Sequence, residues 1–364
     1  MHMKRILIDA TGIVNIPTGL SKYSYYLLKS LLKNNRYKFT VLHRKSLKKT
    51  NPLFQINSAH VAFIDIDVPT IGPKRDYIMF TMKKKIINHE LFHCLSSYLP
   101  AFDLQVPSIL TIHDLKYLLF PAFFNNIFKT MYYKWIIHRG IRNASSIITV
   151  SHSTKHDIES LGVESRKIHV IYEAPTIDQH VESIPPENLK NKRYFLFIGE
   201  NRPHKNILRL IQVYKETKKR LNDICPLMVF AGARYESIIP TFGDNHLIFL
   251  GSVADSLLTT LYKNALALVY PSLYEGFGLP IVEAMKMGTP VITSNCSSMQ
   301  EIAGNAAILI DPKNVNQLAE AMLNITQHEN TRTRLIKLGR KRIMDFSWEK
   351  AARKVSELYE EILS

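Results

Sequence analysis

The chain has 364 residues, 46% of them hydrophobic, and a formal charge of +16. That length exceeds one comfortable core, so two domains are expected, and no run of about eighteen apolar residues supplies a membrane-spanning helix. Three scattered cysteines, Cys94, Cys225 and Cys296, give neither a disulfide framework nor metal-site spacing and suit a reducing compartment. The start, Met1-His2-Met3, has no secretory character and leads into an apolar run, so a cytoplasmic location is expected.

The first half alternates strands and helices. Strands are expected at Ile6–Asp9, Phe39–Leu42, Val61–Ile66, Ser108–Ile112, Ser146–Val150 and Lys167–Ile171. Helices are expected at Ser21–Leu32, over the aromatic-rich stretch Phe124–Arg139, and at Ser153–Leu161, with Gly162 at its end. Polar, Pro-bearing residues follow from Asp178 to Lys192, with Pro185-Pro186 inside them, and 183–192 is taken as a linker.

The alternation then restarts. Strands are expected at Tyr194–Ile198, Leu227–Ala231, Ile248–Leu250, Ala265–Tyr270, Val291–Thr293 and Ala306–Ile310. Helices are expected at Ile207–Arg220, Pro280–Met287 and Val315–Gln327. Two such arrays predict two doubly wound domains, residues 3–182 and 193–346, facing a cleft. In the tail, 347–364, Trp348, Ala351, Val355, Leu358 and Ile362 recur at helical spacing.

The stretch Glu275-Gly276-Phe277-Gly278-Leu279-Pro280-Ile281-Val282-Glu283 joins an apolar strand to a helix. A glycine-rich turn at a helix start aims backbone N–H groups at an anion. The flanking glutamates repel that anion but accept hydrogen bonds from hydroxyls. Phosphate beside hydroxyls describes a nucleotide sugar. A second strand-to-helix loop, Gly199-Glu200-Asn201-Arg202-Pro203-His204-Lys205-Asn206, adds Arg202 and Lys205, which would neutralise a leaving diphosphate without a metal. His113, in Thr111-Ile112-His113-Asp114-Leu115, closes an apolar strand at the ligand edge of a doubly wound domain. Gly19, in Pro17-Thr18-Gly19-Leu20-Ser21, opens a helix where backbone could approach a ligand.

Together these segments resemble the retaining glycosyltransferases of family 4, with the GT-B fold, over nearly the whole chain. The spacing of Glu275 and Glu283 carries most of the resemblance, supported by Ile148-Thr149-Val150-Ser151 and Phe346-Ser347-Trp348-Glu349. The resemblance implies that Glu283 holds the donor ribose and Glu275 the sugar hydroxyls. It implies that Gly276, Phe277, Gly278 and Leu279, with Arg202 and Lys205, hold the diphosphate. His113 would face the transferred sugar, Gly19 the diphosphate, and the tail helix would cross back to the N-terminal, acceptor-binding domain. Many relatives carry Pro-Arg-Lys-Asn where this chain has Pro203-His204-Lys205-Asn206. Lys22 replaces the usual arginine after the glycine turn, and Ser298-Met299-Gln300-Glu301 replaces Ser-x-Pro-Glu.

The implied reaction moves a hexosyl group, with GDP-mannose favoured, to a lipid-linked or oligosaccharide hydroxyl in surface-glycan synthesis. Retention rests on the resemblance, and no catalytic base is assigned. A nucleotide-sugar 2-epimerase of the same fold, and a non-catalytic nucleotide-sugar or glycan binder, are the rival readings. No cofactor or metal is expected. Asp65-Ile66-Asp67 imitates a metal motif but has no supporting ligands nearby in sequence. Residues 1–190 hold 25 Lys+Arg against 14 Asp+Glu, the rest 22 against 17, so most of the basic excess lies in the first half. Lys74-Arg75 and Lys83-Lys84-Lys85 bracket Tyr77-Ile78-Met79-Phe80, and Phe123 to Trp135 is aromatic-rich. This mix predicts an anionic membrane surface as partner, on the inner face of the cell membrane. No nucleic-acid motif accompanies the charge, and none is expected as partner.

Overall fold

A computed structural model of the chain describes residues 3–15, 19–69, 71–96, 98–120, 127–181, 183–236, 238–239 and 244–364. It divides into two compact units, Met1–Glu173 with Ser347–Ser364, and Ala174–Phe346.

The first unit holds seven parallel strands, β1 (Lys4–Asp9), β2 (Tyr37–Arg44), β3 (Val61–Ile66), β4 (Leu91–Cys94), β5 (Ser108–Ile112), β6 (Ser146–Thr149) and β7 (Ile168–Val170), in the order β3-β2-β1-β4-β5-β6-β7. Ile6 pairs with Phe39 on one side and Leu91 on the other. β4, β5 and β6 are buried throughout, as a parallel sheet covered on both faces requires. The tail helix, Trp348–Leu363, starts at Ser347, whose hydroxyl accepts from the Lys350 amide. Trp348 stacks on Tyr26 of the Gly19–Leu31 helix at 5.6 Å, and Tyr359 bonds His93 of β4 at 2.6 Å. The tail therefore packs on the first unit, through the apolar stripe read from its sequence.

The second unit holds six parallel strands, β8 (Tyr194–Ile198), β9 (Leu227–Ala231), β10 (Leu247–Gly251), β11 (Ala267–Tyr270), β12 (Val291–Ser294) and β13 (Ile308–Ile310), ordered β10-β9-β8-β11-β12-β13. The winding direction reverses between β1 and β4 in one sheet and between β8 and β11 in the other. Ligand loops in such sheets gather at the strand ends beside that reversal.

Several elements differ from the sequence reading. β4 was not anticipated, nor were the helices Pro73–Thr81, Asp255–Asn264, Ser297–Ala303 and Glu329–Arg342. The aromatic-rich helix runs Ile127–Asn143, and the start expected at Phe124 lies outside the described residues, as do Pro17 and Thr18. Residues 183–192 belong to the second unit, and the division falls after Glu173. The physical reason is local: the Ser183 amide donates to Thr260 Oγ1 at 3.0 Å and Thr260 Oγ1 donates to the Ser183 carbonyl at 2.8 Å, tying this stretch to the Asp255–Asn264 helix.

Candidate active site

The loops after β8 and β11 flank the reversal in the second sheet, and they carry the motif residues. β11 ends at Tyr270, and the chain turns through Glu275 to Gly278 into the helix Leu279–Met287. Gly278 caps that helix at φ +101°, a conformation that side chains rarely adopt, and an added Cβ would lie 3.1 Å from Ile281 Cδ1. Gly288 ends the helix at φ +74°, returning its N–H to the Ala284 and Met285 carbonyls. Ser297 and Ser298 hold the turn from outside. Ser297 Oγ accepts from the Glu275 amide at 3.2 Å and donates to the Glu275 carbonyl at 2.7 Å. Ser298 Oγ reaches the carbonyls of Glu275 and Phe277, each at 2.9 Å. The segment that departs from Ser-x-Pro-Glu thus braces the loop through hydroxyls.

Lys205 and Glu275 meet. Lys205 Nζ donates to Glu275 Oε1 at 2.7 Å and to Tyr270 Oη at 2.5 Å, and sits over the Tyr270 ring. Burial acts to raise the Glu275 carboxyl, but the Lys205 ammonium leads the opposing effects, and the net result lies below the usual carboxylate range. The β8 loop is set by Asn206 at φ +60°, whose amide donates to the Pro271 and Pro312 carbonyls. The Leu273 amide bonds the His204 carbonyl at 2.7 Å, so the two loops are stitched by backbone.

Arg202 is paired within its own loop. Its Nε donates to Glu200 Oε2 at 3.1 Å, and Arg234 Nε reaches the same oxygen at 3.3 Å. Arg234 follows β9 and holds φ +70°, a left-handed conformation for a non-glycine residue. Beside it, a Cβ on Gly232 would lie 1.9 Å from the Gly199 carbonyl oxygen, so these loops close up only with glycine there. Glu283 is 4% exposed. Thr176 Oγ1 donates to one of its oxygens at 2.6 Å and Tyr262 Oη to the other at 3.0 Å. Sequence reasoning missed Thr176, Tyr262 and Arg234, which lie on other elements and share no local pattern with the motif, and gave Glu200, inside the Gly199–Asn206 loop, no role.

In the first unit, Gly19 opens the Gly19–Leu31 helix and His113 follows β5. His113 Nδ1 lies 3.0 Å from Glu173 Oε1 and Nε2 lies 3.3 Å from the Leu95 carbonyl. Asp65 and Asp67 are exposed, Asp65 within β3 at the edge of its sheet, and no cluster of three His, Cys, Asp or Glu that could hold a metal occurs among the described residues. Arg75, read as a surface cation, is instead buried against Asp9, with Nη2 to Oδ2 at 2.5 Å. It lies on the inward face of the Pro73–Thr81 helix, where burial demands a counter-charge.

Residues 17–174 match the family described as Glycosyltransferase Family 4, and residues 180–342 match Glycosyl transferases group 1. O-antigen chain mannosyltransferase RfbU of Salmonella typhimurium is 31% identical over 221 residues, 60% of each chain. O-antigen chain mannosyltransferase B of Escherichia coli is 28% identical over 292 residues, 74% of each. The chain thus spans less than two thirds of the Salmonella relative. Among solved structures, Anabaena Alr3699/HepE in complex with UDP and glucose aligns at TM-score 0.75 and 17% identity, over 99% of this chain and 100% of that one. WaaG, a glycosyltransferase involved in lipopolysaccharide biosynthesis, aligns at TM-score 0.75 and 13% identity, over 97% and 99%. At such identities the likeness is one of fold. Both halves match glycosyltransferase families, both sheets are Rossmann-like, and the chain belongs to the family 4 glycosyltransferases of GT-B fold.

Proposed function

We propose that the enzyme transfers a hexosyl group from a nucleotide sugar, GDP-mannose favoured, to a hydroxyl of a lipid-linked or oligosaccharide acceptor, with retention, in surface-glycan synthesis. The observation that carries this reading is the convergence of Lys205, Glu275 and the amide-lined start of the Leu279–Met287 helix beside the sheet reversal. The helix start and Lys205 suit a diphosphate, with Arg202 adding charge. Thr176 and Tyr262 each donate to one oxygen of Glu283, and a carboxylate oxygen has a second lone pair that suits a ribose hydroxyl. Mannose and O-antigen assembly are favoured because two relatives are named O-antigen chain mannosyltransferases.

In this reading the anomeric carbon–diphosphate bond breaks while the acceptor oxygen bonds on the same face. The acceptor proton passes to the departing diphosphate. Glu275, held by Lys205, serves the sugar hydroxyls rather than attacking carbon. On the family resemblance, His113 serves the transferred sugar and Gly19 the diphosphate. A thermal-shift panel of nucleotides and nucleotide sugars tests the donor: a ligand at 100 times its Kd adds about 2.7 kcal/mol. GDP and GDP-mannose should raise Tm, and no response to any nucleotide would refute the reading.

We also place the enzyme on an anionic membrane surface. The Pro73–Thr81 helix exposes Tyr77 (71%) and Phe80 (54%), and the Ile127–Asn143 helix exposes Ile127, Phe128, Met131 and Trp135 at helical spacing. Tyr132 Oη donates to Asp76 Oδ2, which sets the two helices side by side. Lys134 is exposed on the second of these helices, and Lys84 and Lys85 on the short helix Lys83–Ile86 that follows the first, so aromatic insertion and charge attraction act together.

A further inference from the structure

We propose that Glu173 is a positioning residue for His113. This rests on the reading of His113 as the group that serves the transferred sugar. Glu173 lies three residues beyond β7, is 4% exposed, and reaches across to the end of β5. Its Oε1 stands 3.0 Å from His113 Nδ1. The imidazole is further fixed by the Tyr23 ring, edge-on at 4.6 Å.

The neighbouring charges leave this task to Glu173. Asp114 is engaged by the Lys116 ammonium at 3.0 Å. His93 is bonded to Tyr359 and Thr111, and burial, then the His113 charge, lowers its pKa to about 3. His93 thus stays neutral and adds no charge to the ring. Glu173 is the carboxylate in reach, and an ionised carboxylate only accepts, so Nδ1 is the nitrogen that carries hydrogen toward it. This selects one ring orientation and makes Nε2 the nitrogen left to the sugar. Without a hydrogen, Nε2 cannot donate to the Leu95 carbonyl 3.3 Å away, so its lone pair is left to accept from a sugar hydroxyl. The sequence reading missed Glu173 because it lies 60 residues from His113.

The test is Glu173→Gln, which keeps the shape but lets the amide donate or accept. With GDP-mannose as donor, kcat should fall roughly 10- to 100-fold, by analogy with the loss of a carboxylate that orients a metal-ligating histidine, with donor KM little changed. The His113 ring ¹⁵N signals, assigned by difference against His113→Asn, should lose the single Nδ1–H form; this readout needs no turnover. Glu173→Asp, which keeps the carboxylate, should recover part of kcat and the Nδ1–H signal, and serves if the glutamine variant does not fold. Glu173→Gln/His113→Asn should be no slower than His113→Asn alone. Wild-type kcat and unchanged ¹⁵N signals in Glu173→Gln would overturn the proposal. Wild-type kcat in His113→Asn would instead overturn the reading of His113 itself.

Discussion

Lys205→Met removes the cation from a nearly buried pair. The two side chains are 14% and 12% exposed and 2.7 Å apart, so their gross attraction is about 6 kcal/mol at an effective dielectric of 20. Desolvation offsets much of that in the intact pair. In the variant, Glu275 keeps the desolvation cost without the cation, and breaking such pairs costs about 3–5 kcal/mol when burial is complete. Residual exposure brings our figure to about 3 kcal/mol, or roughly 6–12 °C in the Tm of the second unit. Calorimetric scans at neutral pH measure it. The pH dependence follows from the sign of the Glu275 shift. Its folded value lies below its unfolded one, so the wild-type pair contributes stability above the usual carboxylate range and loses it as pH falls through the folded value. The gap between wild type and variant should therefore narrow on acidification. Lys205→Met/Glu275→Gln should recover part of the loss, since no charge is then left unpaired. A Lys205→Met protein as stable as wild type, or a double variant no better than the single, would refute this account of the pair.

Gly278→Ala forces a side chain into φ +101° against Ile281, at about 1–2 kcal/mol, and should weaken GDP binding by calorimetric titration; unchanged affinity would show that the turn's shape does not matter. Trp135 is half exposed while Trp348 is buried, so a blue shift of emission on phosphatidylglycerol vesicles, reduced by salt and lost in Trp135→Ala, is expected; no shift would remove the membrane face. Excess chelator should leave transfer from GDP-mannose unchanged, because in the proposed reading the helix start, Lys205 and Arg202 hold the diphosphate without a metal; loss of rate restored by a divalent cation would contradict this.

The fold was legible where apolar runs were long and bounded, as in β8, β9 and the tail helix. β4 hid because it has four residues, two of them His93 and Cys94, after the polar run Asn88-His89-Glu90. The Glu329–Arg342 helix hid because it buries only Leu335 and Gly339, too few to mark a stripe. The Glu275–Glu283 loop was readable because its glycines and carboxylates are neighbours in sequence. What fixes those carboxylates was not: Lys205 lies 70 residues from Glu275, and Thr176 lies 107 from Glu283. Arg75 was misread because charge alone does not show which helix face is buried, and Asp9, its partner, lies 66 residues away.

A single incubation with GDP-mannose tests for acceptor-dependent hexosyl transfer from a nucleotide sugar. Membrane glycolipid serves as acceptor, GDP release is followed, and the anomeric configuration of the product is read by NMR. GDP release should require acceptor, and the product should keep the α configuration of the donor. Donor consumed without acceptor, or a β-linked product, would contradict it.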